Sequence, residues 1–218
     1  VQTNEGIFGK NNNKDLAFLL GMYHGDGTQS EDSVYIDLWE NDFDLVDEIQ
    51  EIHDNLVSLH ESAIPRNTNR IVYPQFKEQN TGDSTVRKLR LRSWVLRHIY
   101  NFEKGVIPQW LWESDRETMW SYIKGLLVTD GTVNLGSCKG NPVQLSYASI
   151  DKEHLENVQL IMANLGIKTS IRLLREGGEQ SLPNHKGSYS TYTTKTCWRL
   201  IVSNKNDCIV VDDNTGFL

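Results

Sequence analysis

Two aspartates in matching surroundings are the residues of this chain best suited to chemistry. Asp26 stands near the end of Leu19-Leu20-Gly21-Met22-Tyr23-His24-Gly25-Asp26-Gly27, and Asp130 near the end of Ile123-Lys124-Gly125-Leu126-Leu127-Val128-Thr129-Asp130-Gly131. Gly21, Asp26, Gly27 and Thr28 match Gly125, Asp130, Gly131 and Thr132 at a constant offset of 104 residues. Each stretch has the pattern of the last turns of a mostly apolar helix, with the Gly after the Asp expected to supply a left-handed C-cap. A carboxylate in that last turn faces the negative end of the helix dipole at a cost of roughly 0.3–1 kcal/mol, so a positive partner should compensate it. If the two helices pack side by side in parallel, the carboxylates meet at one end of the pair, and hard oxygen ligands sharing a cation suit Mg²⁺. One Asp-Gly pair marks no more than a turn; two in matching context argue for a site. Gly21 with Gly25, and Gly125 with Thr129, are small residues four apart that let two helix backbones approach.

The elements around the first motif follow from periodicity. Val34, Ile36 and Leu38 alternate with polar neighbours, which predicts a strand over Val34 to Trp39 after a short one near Thr28. Asp42 is expected to cap a helix reaching about Leu59, with Val46, Ile49, Ile52, Leu56 and Leu59 on its apolar face and the acids on a solvated back. Two more strands are expected at Ile71 to Lys77 and Val86 to Arg92. In the second of them Lys88, Arg90 and Arg92 share one face with Val86, and Leu89 and Leu91 share the other with Arg87. A short helix from Trp94 to Phe102 then leads through Lys104 and Pro108 to a Trp-rich connection, and Asp115 caps the second motif helix. The order then repeats: strands near Thr132 to Leu135 and Val143 to Ala148, a helix from Asp151 to Leu165, and strands at Ile167 to Arg175 and Thr191 to Ser203. The apolar run Ile209-Val210-Val211 suits a further strand. Residues 1–104 therefore form a first repeat, 105–114 a linker and 115–218 a second repeat.

The 218 residues, 38% of them hydrophobic with six Trp, suffice for one large domain or two small ones. No run of eighteen apolar residues occurs and the first residues are polar, so neither a membrane span nor a signal peptide is expected. Cys138, Cys197 and Cys208 are odd in number and widely spaced, which fits neither a disulfide framework nor a zinc site, and a reducing cytoplasm is the expected compartment. The net charge of −7 looks wrong for a nucleic-acid binder until its distribution is considered. Asp26 to Ser62 holds twelve acids and no Lys or Arg, whereas Ile64 to Lys104 holds nine basic residues against three acids. Gly166 to Lys205 holds seven basic residues against two acids. Basic strand faces in both repeats, beside a central pair of acids, suit a duplex whose phosphates and base edges Lys and Arg contact.

The paired motifs resemble those of the LAGLIDADG homing endonucleases, in the single-chain form with two motifs. Leu19–Gly27 and Ile123–Gly131 lie on the motif, and Leu89-Arg90-Leu91-Arg92-Ser93, Lys104 and Ile107-Pro108 resemble the segment between motifs. The resemblance implies an α+β fold of two pseudo-symmetric αββαββα repeats, with saddle-shaped antiparallel sheets and two central packed motif helices. It implies site-specific, Mg²⁺-dependent hydrolysis of both strands of a long asymmetric duplex site by a monomer. By resemblance Asp26 and Asp130 hold the metal with the main-chain carbonyls of Gly25 and Thr129, and Lys104 polarises the attacking water or steadies the transition state. Arg66, Arg70, Lys77, Lys88, Arg90, Arg92, Gln144, Arg172, Arg175, Lys186, Lys195 and Arg199 are the expected DNA contacts.

The second half departs from the pattern. After Ser203 it lacks the helix-Lys-Pro order, and Lys195 and Lys205 are weak substitutes for Lys104, so unequal cutting of the two strands, or nicking, is expected. His24 and Val128 replace the motif's first acid and are expected to pack. Members of the family often lie inside inteins, and an intein origin is expected here without splicing, since the residues include neither an N-terminal Cys or Ser nor a terminal His-Asn pair. The rival from the binding-module class is a decayed relative acting as a DNA-binding regulator or RNA maturase, which would bind with salt dependence but not cleave. A protein with duplicated helices and no nucleic-acid role would not bind duplex even at low salt.

Overall fold

The computed structural model describes residues 12–63, 77–79, 87–134, 143–183 and 188–217. The chain divides into two compact units, Val1–Thr129 and Asp130–Leu218, and the division falls inside the second motif, between Thr129 and Asp130.

The first unit is built on a helix that is apolar nearly all round. Helix α1 (Asn12–Asp26) buries every residue from Leu16 to His24, as a helix enclosed on all sides must. It runs directly into strand β1 (Gly27–Gln29), which pairs with β2 (Val34–Trp39). Helix α2 (Val46–Ser58) buries Ile49, His53, Leu56 and Val57. Strands β3 (Lys77–Gln79) and β4 (Lys88–Ser93) complete a four-stranded antiparallel sheet in the order β1-β2-β4-β3. Val34, Ile36, Leu38 and Leu91 are buried on one face of it. Three short or long helices follow: α3 (Trp94–His98), α4 (Gln109–Trp112) and the second motif helix α5 (Arg116–Asp130).

The second unit repeats the plan. Strands β5 (Gly131–Asn134) and β6 (Gln144–Ser149) are followed by helix α6 (Lys152–Asn164) and strand β7 (Ser170–Arg175). After these comes a hairpin of β8 (Gly178–Pro183) and β9 (Tyr189–Thr194), then β10 (Cys197–Val202) and helix α7 (Lys205–Thr215). The sheet order is β5-β6-β10-β7, so β5, β6, β7 and β10 occupy the places of β1, β2, β3 and β4. Antiparallel sheets and helices thus form the expected α+β class. The hairpin β8–β9 has no counterpart in the first unit among the described residues.

Several local expectations are corrected. Asp42 does not cap α2; it lies in a 3-10 turn over Glu40–Leu45, and the residue preceding α2, Leu45, makes no side-chain cap bond. Neither Gly27 nor Gly131 is left-handed. Gly27 is needed for space, because a Cβ there would lie 2.2 Å from the Tyr23 carbonyl oxygen. Ile209-Val210-Val211 is helical within α7, whose start is capped by the Asn204 side chain accepting from the Asn206 and Asp207 amides and whose end is a left-handed Gly216 (φ 66°). The single strand expected at Thr191 to Ser203 is two, β9 and β10. The caps Asp115 and Asp151 are present, accepting from Thr118 and His154 amides at 2.8 and 3.0 Å. Most of the strand expected at Ile71 to Lys77 lies outside the described residues, as does Cys138; Cys197 and Cys208 are unbridged. No described helix is long and apolar enough to cross a membrane.

One buried group sets a pH dependence. The Ser93 hydroxyl accepts the Leu96 amide and is hydrogen-bonded to His53 Nε2, 2.7 Å away. Burial pushes the His53 ring down to about 4, against the opposing pull of Asp54. The unfolded chain, at about 6.5, takes the proton first. Stability is therefore complete above about pH 6.5 and falls as pH drops toward 4, by roughly 3 kcal/mol from this group. Denaturant melts between pH 7.5 and 4.5 should show a shallower decline for His53→Gln, which keeps an acceptor for Ser93, than for wild type.

Candidate functional site

The two motif helices meet backbone to backbone within the first unit. A Cβ on Gly21 would lie 2.1 Å from the Tyr122 carbonyl oxygen and one on Gly125 2.1 Å from that of Phe18, a reciprocal pair at the expected offset. Lys14 pairs with Glu117 near both N-termini, so the helices run parallel. Near the other end of α1, His24 Nδ1 lies 2.9 Å from the Tyr122 hydroxyl. His24 is therefore a hydrogen-bonding residue and not only a packing one.

Asp26 closes α1 half-buried. One carboxylate oxygen accepts the Trp39 indole N–H at 2.9 Å, and the other accepts no hydrogen bond among the described residues. Burial pushes the Asp26 carboxyl above its ordinary value, while the Trp39 bond and the charge of Lys104 pull it back. Replacing Trp39 by Phe keeps the ring and removes the donor, so the Asp26 carboxyl should titrate still higher, as read from its ¹³C shift in the metal-free protein. A titration unchanged by Trp39→Phe would dismiss the indole as a support for Asp26.

The positive group that the dipole argument demands is Lys104. Its Nζ donates to the Gly25 carbonyl at 2.6 Å and to the Tyr23 carbonyl at 2.8 Å, at the C-terminal turn of α1. Its backbone N–H donates to Gln29 Oε1 at 3.2 Å, and the same oxygen accepts the Tyr23 hydroxyl. Asp130, the last residue of α5, is exposed and opens the second unit. Thr129 bonds through its hydroxyl to the Gly125 and Leu126 carbonyls. No cluster of three or more His, Cys, Asp or Glu able to hold a metal occurs among the described residues. The carboxylates and main-chain carbonyls at these two helix ends are hard oxygen donors, of the kind divalent cations such as Mg²⁺ take together with water and substrate phosphate oxygens.

On the outer face of the first sheet the basic residues are not bare. Tyr35, Asp37 and Trp39 stand opposite Arg92, Arg90 and Lys88 in register. Asp37, 5% exposed, takes Arg90 in a two-pronged bond at 2.6 and 2.7 Å and Lys88 at 3.2 Å. Arg90 and Arg92 lie over the Tyr35 ring and Lys88 over Trp39, at 5.1 to 5.9 Å. Asp37, Trp39 and Tyr35 went unnoticed in the sequence as the polar half of an alternating strand. Lys77 pairs in register with Arg90. In the second unit Arg172 and Arg199 stand directly opposite on β7 and β10, and neither has a carboxylate partner among the described residues. Like charges so placed repel, which a polyanion would relieve. Arg175 ends β7 opposite Cys197, Gln144 opens β6 opposite Asn134, and Lys195 is exposed before β10. Arg66, Arg70 and Lys186 lie outside the described residues.

A family model described as a LAGLIDADG-like domain matches residues 117–209. The chain is 29% identical over 212 residues to the ribonucleoside-diphosphate reductase NrdEB subunit alpha of Bacillus subtilis (strain 168), covering 94% of this chain and 19% of that protein. It is 25% identical over 177 residues to a DNA polymerase of Thermococcus litoralis, covering 80% of this chain and 9% of that one. The chain thus spans a small part of the curated relatives it matches. The homing endonuclease I-DmoI, in complex with DNA and Mn, is similar in fold, with a TM-score of 0.54, 18% identity and coverage of 94% of this chain and 98% of that one.

Proposed function

We propose that the protein is a site-specific, metal-dependent endonuclease of duplex DNA, a reading supported by the LAGLIDADG-like domain model that matches residues 117–209 and by the likeness in fold of 94% of the chain to the homing endonuclease I-DmoI. The observation that carries the proposal is Asp26, a half-buried carboxylate at the end of a helix packed through Gly21 against its own duplicate. Asp26 and Asp130, with the main-chain carbonyls of Gly25 and Thr129, would hold the divalent cation, Mg²⁺ in this reading. When bound, the metal makes a water nucleophilic and stabilises negative charge on the attacking and leaving oxygens.

Lys104 lies within reach of a phosphate at the Asp26 end, where its ammonium steadies charge that develops in the transition state. The Gly25 carbonyl accepts the Lys104 ammonium, so the lysine is anchored at the turn that would also lend a main-chain ligand to the metal. The faces bearing Lys77, Lys88, Arg90 and Arg92, and Gln144, Arg172, Arg175, Lys195 and Arg199, contact the duplex, and Arg66, Arg70 and Lys186 are further contacts in this reading. One chain covering both halves of I-DmoI supports a monomer. Residues 1–104 and 115–218 are the two repeats, joined by 105–114. Matches confined to 19% of a reductase subunit and 9% of a polymerase support an inserted, intein-type origin within a host protein.

The test is a selection of cleavable sites from a randomised duplex library with Mg²⁺, each strand labelled separately. A defined site cut in both strands, the one attended by Lys104 faster, is expected. Salt-dependent binding with no cleavage in any divalent cation would favour the DNA-binding regulator or RNA maturase instead.

A further inference from the structure

We propose that His24 is a positioning residue that places Lys104, working through the neighbouring Glu103; the inference rests on the role of Lys104 given above. His24 is 2% exposed, and both ring nitrogens are engaged. Nε2 lies 3.0 Å from the Glu103 carbonyl oxygen, which can only accept, so Nε2 carries the proton. In the neutral ring Nδ1 then accepts from the Tyr122 hydroxyl. The imidazole thus ties α1, α5 and the segment bearing Lys104 in one bonded chain.

That segment needs such a tie. Residues 101–108 form no helix or strand, and left-handed Asn101 (φ 52°) and Gly105 (φ 78°) flank Phe102, Glu103 and Lys104. Its place is set by bonds from outside: the Phe102 amide to the Leu96 carbonyl, Arg97 to the Phe102 carbonyl, His24 to that of Glu103, Lys104 N–H to Gln29, and the Lys104 ammonium to the Tyr23 and Gly25 carbonyls. Of the side chains Arg97, His24 and Gln29 that hold it, His24 is the buried one, and it is also bonded to Tyr122 of the second motif helix.

The second repeat supplies the contrast. Val128 stands where His24 does in the first, with no group to donate.

The test uses the full chain and a selected duplex site, under single-turnover conditions with each strand followed. Misplacing a reacting group by about 1 Å can cost ~10²-fold. His24→Val, which installs the residue of the second repeat, should therefore slow one strand by tens of fold without changing duplex affinity in chelator. His24→Val/Lys104→Ala should be no slower than Lys104→Ala, and His24→Gln, whose amide can donate to Glu103 and accept from Tyr122, should recover part of the rate. Without DNA or metal, amide exchange over residues 101–105 should quicken in His24→Val. The proposal is overturned if His24→Val cuts at the wild-type rate while Lys104→Ala is slow, or if the two losses multiply with a lowered melting temperature and weakened binding. Should Lys104→Ala itself cut normally, the reading of Lys104 fails and this proposal with it.

Discussion

Asp26→Asn is expected to bind duplex as tightly as wild type, to cleave it about 10³-fold more slowly, and to melt slightly higher. The rate follows from losing several kcal/mol of charge stabilisation through the metal, at about 1.4 kcal/mol per tenfold. The amide oxygen keeps an acceptor for Trp39, so the local geometry survives. The gain in stability has a separate origin. Burial raises the Asp26 carboxyl above its ordinary value, so the folded state holds the proton longer than the unfolded one. A carboxylate of this kind costs stability as pH rises through its titration, and the cost disappears in acid. The advantage of Asn should accordingly be present at neutral pH and absent near pH 3. Undiminished cleavage by Asp26→Asn would remove Asp26 from the active site; slow cleavage with a lower melting temperature would point to damage instead.

Gly21→Ala should be strongly destabilising. The added carbon would lie 2.1 Å from the Tyr122 carbonyl oxygen and 2.8 Å from the Leu126 nitrogen, both backbone atoms that no rotamer change can move. Overpacking of flexible surroundings costs typically 1–3 kcal/mol, and here the helices themselves must separate, so about 3 kcal/mol or more is expected. For a chain of this size that corresponds to a fall of roughly 6–12 °C in Tm. Gly125→Ala, which meets the Phe18 carbonyl oxygen at 2.1 Å, should behave alike. A melting temperature within a degree or two of wild type for both would contradict the close parallel packing of α1 and α5.

The structure explains why the basic strands were legible and their partners were not. Lys88, Arg90 and Arg92 fall on one face because strand side chains alternate, a rule with a period of two residues. That Asp37 holds Lys88 and Arg90 depends on the register between β2 and β4, which brings together residues 51 and 53 positions apart in sequence. The stretch from Asp26 to Ser62, which holds acids and no Lys or Arg, therefore contributes one buried carboxylate to the basic face. The break between β9 and β10 and the pairing of β9 with β8 leave little mark in the sequence, because Tyr189–Thr194 is a run of hydroxyl residues with no apolar alternation. In α7 the β-branched run suggested a strand, but the Asn204 cap and left-handed Gly216 bound a helix that buries Cys208 and Val211.

The sequence by itself determined the duplication, the two motif helices with their terminal aspartates, the sheet faces and the single lysine, because repetition, periodicity and capping are properties of neighbouring residues. Tertiary structure alone decided that Lys104 sits on the Tyr23 and Gly25 carbonyls, that Trp39 holds Asp26, and that His24 joins Glu103 to Tyr122. Each of those bonds joins groups from separate elements at distances of about 3 Å or less. No local pattern encodes such a meeting; it follows only from how the helices cross at Gly21 and Gly125 and how the strands align.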